Sequence, residues 1–169
     1  MQAKRKNITI LLFIIYLLIL TWIILFKMSF SFDELPNLRN INLIPYAESL
    51  IVNNSVDYSE IIYNSVAFIP VGIYISILRS NWPFLIKITP VLALSIFYEV
   101  MQFIFAIGAT DITDVINNTI GGIVGILFYL IISKLIKNKE KVDKIIIVLA
   151  SICTGLLVIF LSILVLANL

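Results

Sequence analysis

The chain has 169 residues, 61% of them hydrophobic and 13% charged, with a net charge of +2 and a mean hydropathy of +1.09. A soluble domain is roughly 45–50% apolar and about 25% charged, so the composition excludes one and specifies an all-α, polytopic membrane helix bundle. With no histidine and Cys153 as the single cysteine, Ser-His-Asp and Cys-His nucleophiles, imidazole-dependent zinc sites and any intrachain disulfide are excluded.

A basic cap, Lys4, Arg5 and Lys6, precedes an apolar run over about 8–26, long enough to cross a bilayer core at roughly 1.5 Å per residue. The run exceeds a signal peptide's h-region and meets no small-x-small cleavage site before Lys27, so it reads as an anchor. Trp22 and Phe26 fall toward its far interface, where aromatic rings settle.

Residues 27–58 form the one long loop, with Asp33, Glu34, Arg39, Asn42, Glu48 and Asp57 among its polar positions. Its centre, NLIPYAESLIV, reads as a short interfacial helix with Pro45 at the first helical position, where a missing N–H donor costs nothing. Further apolar runs follow at about 61–78, 84–107, 115–132 and 145–166. Five spans are therefore expected, in a single domain covering 1–169. Lys87 near the start of the third span is placed to snorkel toward headgroups, and the lysine-rich link from Lys134 to Lys144 reads as solvated and facing lipid phosphates.

Basic residues set the orientation. With a cytoplasmic N-terminus, Lys4, Arg5, Lys6, Arg79, Lys87, Lys134, Lys137, Lys139, Lys141 and Lys144 lie inside, and only Lys27 and Arg39 lie outside. This asymmetry, ten against two, follows the positive-inside rule and leaves the C-terminus extracellular. On the same map most acids, Asp111 and Asp114 included, fall at the outer interface.

The chemistry concentrates between Ser95 and Gly125. Glu99 and Gln102 sit inside an otherwise apolar run, and an ionisable group there marks a functional-site candidate because unpartnered burial costs several kcal/mol. Ser95, Glu99 and Gln102 share a helix face by their spacing. After a turn through Gly108, Asp111, Asp114 and Asn118 open the next span, and a short connection makes the two helices antiparallel neighbours. Asn64 and Ser65 open the second span at the same depth. Gly121, Gly122 and Gly125 then read as a close helix contact beneath this layer.

Structural readings stand beside the functional ones. Asp111 with Asp114 fits an N-cap and an acid favoured by the helix dipole. Asn118 and Gln102 fit interhelical hydrogen-bond glue. A neutral Glu99 fits a donor fixed to Asn64 or Asn118. Pro70 and Gly72 fit a kink in the second span.

Four blocks in order resemble the VanZ-like membrane proteins, a family named for a teicoplanin-resistance protein. They are Asn42-Leu43-Ile44-Pro45-Tyr46; Asn64 through Gly72 with Pro70; Ser95 with Glu99 and Gln102; and Asp111-Ile112-Thr113-Asp114 with Asn118-Thr119 and Gly121. The resemblance covers about 42–125 and implies a multi-pass protein of the bacterial plasma membrane, linked to lowered susceptibility to a lipid-tailed glycopeptide antibiotic. Many members carry an arginine shortly before the first aspartate, where this chain has Gly108-Ala109-Thr110.

The resulting candidate site comprises Asn42, Tyr46, Asn64, Ser95, Glu99, Gln102, Asp111, Asp114 and Asn118. The leading expectation is a non-enzymatic site at the outer leaflet for a lipid head group or lipoglycopeptide, the acids meeting a cationic group. A first alternative is a membrane enzyme modifying a lipid-linked envelope precursor, with Glu99 as general acid or base and Asp111 and Asp114 as electrostatic or divalent-metal partners. A second is a small proton-coupled transporter. The expected partner is the lipid bilayer and not nucleic acid, and the sequence requires no cofactor.

Overall fold

The computed structural model describes residues 2–26, 38–46, 51–52, 55–56 and 59–167. Lys27, Asp33, Glu34, Glu48 and Asp57 lie outside these residues. Five α-helices account for most of the chain: α1 (Gln2–Ile24), α2 (Ser59–Leu78), α3 (Phe84–Phe105), α4 (Ile112–Ile136) and α5 (Lys139–Ala167). All five are long and apolar enough to span a membrane. Several extend past the expected limits because polar and charged residues continue the helix beyond the apolar run, as where α5 begins at Lys139 rather than near Ile145, while α1 and α3 stop slightly short, at Ile24 and Phe105.

Short strands complete the fold. β1 (Leu38–Asn42) pairs in parallel with β4 (Ile107–Asp111), Leu38 opposite Ile107 and Asn42 opposite Asp111. β2 (Ile51–Val52) and β3 (Ser55–Val56) form a two-stranded antiparallel pair. The interfacial helix expected around Pro45 is absent from the described part of its segment, which is strand and turn. Tyr46 there has φ 60°, a left-handed conformation in which a right-handed helix cannot begin at Pro45.

The reversal after α3 also falls elsewhere than expected. Ala106, at φ 57°, caps the helix, its N–H reaching the carbonyls of Gln102 and Phe103. Gly108 instead lies within β4, its bare Cα facing the Gln102 side-chain amide, so that an added Cβ would stand 3.7 Å from it.

Close packing of α2 on α4 sets the centre of the bundle. A methyl group at Gly121 would overlap the carbonyl oxygen of Ser65, one at Gly125 that of Ile69, and one at Gly72 that of Gly122. Glycines four apart let the two backbones touch, the arrangement expected for Gly121 and Gly125. Gly72 belongs to this contact, and α2 continues through Pro70 without ending. The hydroxyl of Tyr16, on α1, donates to the carbonyl of Ala67 in the turn before that proline.

Leu20, Ile24, Phe68, Val71, Val91, Tyr98 and Ile126 pack as the main core around this contact. Outside it the surface is apolar: Leu18, Ile62, Leu85, Phe105, Ile131, Leu149, Ile152 and Phe160 are among many large exposed side chains. Such an extensive apolar surface suits acyl chains as its solvent.

Candidate functional site

The site is assembled where α3 ends and α4 begins. Ser95, Glu99 and Gln102 lie on one face of α3, and all three are buried, Glu99 at 3% exposure. The connector folds back over that face. The backbone N–H of Asp111 donates to Glu99 Oε2 at 2.8 Å, and the Thr110 hydroxyl donates to the Glu99 carbonyl at 3.1 Å. The glutamate thus accepts a charge-assisted bond from the residue that starts the next helix, which fixes both elements together.

Asp111 binds in two directions. Its Oδ1 accepts from the Thr113 N–H at 2.7 Å, capping α4, and its Oδ2 accepts from Asn42 Nδ2 at 3.1 Å. The second bond locks the last register pair of the β1–β4 ladder. Asn42 Oδ1 accepts the Ile44 N–H at 3.0 Å, an Asx-type turn that bends the chain toward Tyr46. Tyr46 then donates twice to α4, from its N–H to Thr113 Oγ1 at 3.0 Å and from its hydroxyl to Asn117 Oδ1 at 3.3 Å.

α2 meets the same level from the other side. Asn64 Nδ2 donates to Asp114 Oδ1 at 2.9 Å, and the Ser65 hydroxyl donates to the Asn117 carbonyl at 3.2 Å. One turn deeper, Asn118 Nδ2 donates to Ser95 Oγ at 2.9 Å. Glu99, Asp111 and Asp114 all lie near the N-terminus of α4, where the helix dipole favours negative charge.

The layer foreseen in the sequence is therefore brought together, with two differences in its pairings. Glu99 bonds to the Asp111 backbone, while Asn64 goes to Asp114 and Asn118 to Ser95, because β4 interposes its own N–H groups between the helices. Gln102 turns to α1, donating to the Ile24 carbonyl at 3.1 Å, one of the carbonyls a helix end leaves without an intrahelical donor. Among the described residues four buried side-chain polar atoms have no hydrogen-bond partner; the Ser76 and Ser133 hydroxyls lie on α2 and α4 outside this layer, and the two within it are Gln102 Oε1 and Asn118 Oδ1. They lie about one helical turn above and below the level of Glu99.

Thr110, Thr113, Asn117 and Ser65 join the network although they are outside the candidate set. The signal for Thr113 and Asn117 was present in their spacing of four on a helix opening, where short polar side chains turn toward backbone groups. No cage of three carboxylates forms: among the described residues no group of three acidic, histidine or cysteine side chains is placed to hold a metal ion.

The VanZ/LLP1 family model matches residues 13–133, from mid-α1 to the last turn of α4. Over 148 residues the chain is 38% identical to Protein VanZ of Enterococcus faecium, covering 86% of this chain and 88% of that protein. No solved structure matches the chain. In the β1–β4 ladder Gly108 stands opposite Arg39 of β1, whose Nη2 donates to the Ile104 carbonyl at the end of α3 at 3.3 Å. With the match running through every helix that contributes to the polar layer, and five spans of membrane length, the chain belongs to the VanZ/LLP1 family of multi-pass membrane proteins.

Proposed function

We propose that this protein lowers susceptibility to teicoplanin-type lipoglycopeptides by engaging the polar head of an amphiphile at the acid and amide layer, which faces the cell exterior. The observation that carries this reading is the pair of buried, unpartnered acceptors, Gln102 Oε1 and Asn118 Oδ1, flanking the Glu99 level. A buried acceptor without a donor costs about 1–3 kcal/mol, and a ligand bearing ammonium, amide or hydroxyl donors relieves that cost on binding. The carboxylates favour a cationic donor. The family's link to a lipid-tailed glycopeptide supports the same class of ligand, and the ten-to-two distribution of basic residues supports a cytoplasmic N-terminus.

Within this reading the layer has two tiers. Asn42, Asp111, Asn64 and Asp114 hold the strands and helices in place, while Ser95, Glu99, Gln102 and Asn118 present acceptors below, at and above the Glu99 level. The test is teicoplanin tolerance, normalised to membrane expression, for Glu99→Gln, Gln102→Leu and Asn118→Leu. Partial loss for the amide replacement and strong loss for the two leucines support recognition. Normal tolerance in all three, at normal expression, defeats it. A modified envelope lipid, seen by mass spectrometry only with the unsubstituted protein, replaces binding with catalysis.

A further inference from the structure

The opposite end of the bundle holds a second, unrelated construction. α1 and α5 both begin there, and their first turns are tied by Arg5, whose Nη2 meets Glu140 Oε1 at 3.1 Å while Nη1 donates to the Glu140 carbonyl at 3.3 Å. Beside this tie lies a cavity of about 600 Å³ whose charged lining is Lys4, Arg5, Lys141, Lys144 and the single acid Glu140. Ile8, Ile147 and Val148 form its apolar wall.

We propose that this cavity seats the phosphate of an anionic phospholipid, with the lipid's acyl chains running down the apolar wall beside α1 and α5. Three features select this occupant. Four cations face one carboxylate, and Arg5 already engages that carboxylate, so the lining is electropositive. The N-terminal ends of two helices lie together here, adding their positive dipole ends. Finally, the charged rim passes directly into side chains of the membrane spans that begin at Lys4 and Lys139. A free anion meets only the charged rim; a diacyl lipid meets the rim and the wall at once. The site is remote from the acid and amide layer and does not depend on the function proposed for it.

The test uses the purified full-length protein in neutral detergent, with phosphatidylglycerol and phosphatidylcholine titrated separately and adducts counted by native mass spectrometry. Phosphatidylglycerol is expected to form a one-to-one adduct at least tenfold tighter than phosphatidylcholine. Each cation near an anionic headgroup contributes about fivefold, so Lys141→Gln with Lys144→Gln weakens phosphatidylglycerol about 25-fold and leaves phosphatidylcholine unchanged. Both lysines are exposed, so the double variant keeps its fold. Val148→Trp fills the wall without touching charge and is expected to reduce the adduct as well. Equal affinity for the two lipids, an unchanged double variant, undiminished binding by Val148→Trp, or displacement of the lipid by millimolar inorganic phosphate would each overturn the proposal.

Discussion

α4 and α5 make an instructive pair, since both are long apolar helices that open with a side-chain cap. Asp111 accepts the Thr113 N–H at the start of α4, and Asn138 accepts the Lys141 N–H at the start of α5. Beyond the first turn they diverge. Of the span in α4, 28% is buried inside the protein, against 11% in α5. Gly121, Gly122 and Gly125 of α4 lie against α2 backbone or Val91, whereas Gly155 of α5 has nothing within 4 Å of the position a Cβ would take. Apolarity alone decides that a helix enters the membrane. Small residues four apart beneath a polar opening decide that it meets another helix there instead of lipid.

Substitutions at matched positions test that contrast. The largest effect is expected at the glycines: Gly121→Leu or Gly125→Leu forces α4 away from α2 and removes folded protein, read as loss of monodisperse material on size exclusion. Gly155→Leu, its counterpart, leaves the profile unchanged. Next, Asp111→Ala removes a cap worth about 1 kcal/mol and a charge-assisted bond from Asn42 of about 1.5 kcal/mol or more, so denaturant titration in mixed micelles should show a loss of about 2–3 kcal/mol. Asn138→Ala removes a cap alone and should cost about 1 kcal/mol. Asn64→Ala, which strips Asp114 of one donor, belongs with it at about 1–2 kcal/mol. The smallest effect is expected for Arg5→Gln, whose ion pair with Glu140 is solvated and should contribute no more than about 1 kcal/mol. A costly Arg5→Gln or a harmless Gly125→Leu would invert the comparison.

The sequence made some of this legible and hid the rest for physical reasons. Five spans follow from the uninterrupted lengths of apolar residues. The meeting of Glu99 with the start of α4 follows from the short connector, which leaves two antiparallel helices little freedom in relative depth. The β1–β4 pair was not legible, because Leu38–Asn42 reads LRNIN, has no alternating apolar pattern and finds its partner far along the chain. That missing strand displaced two inferences: it removed the helix expected at Pro45, and it moved the turn from Gly108 to Ala106. The partner of Gln102 was hidden similarly, since a side chain that seeks a helix-terminal carbonyl on α1 leaves no periodic mark.

The parallel pairing of β1 with β4 carries a consequence for biosynthesis. Asn42 and Asp111 are 69 positions apart, and a ribosome adding about 5–20 residues per second needs roughly 3–14 s to travel between them. During that interval the first strand has left the ribosome while its mate has not yet been made. The first hydrophilic segment must therefore wait at the membrane surface until two more crossings are inserted, which makes it the stretch a translocation partner or a membrane protease would meet before the protein closes over it.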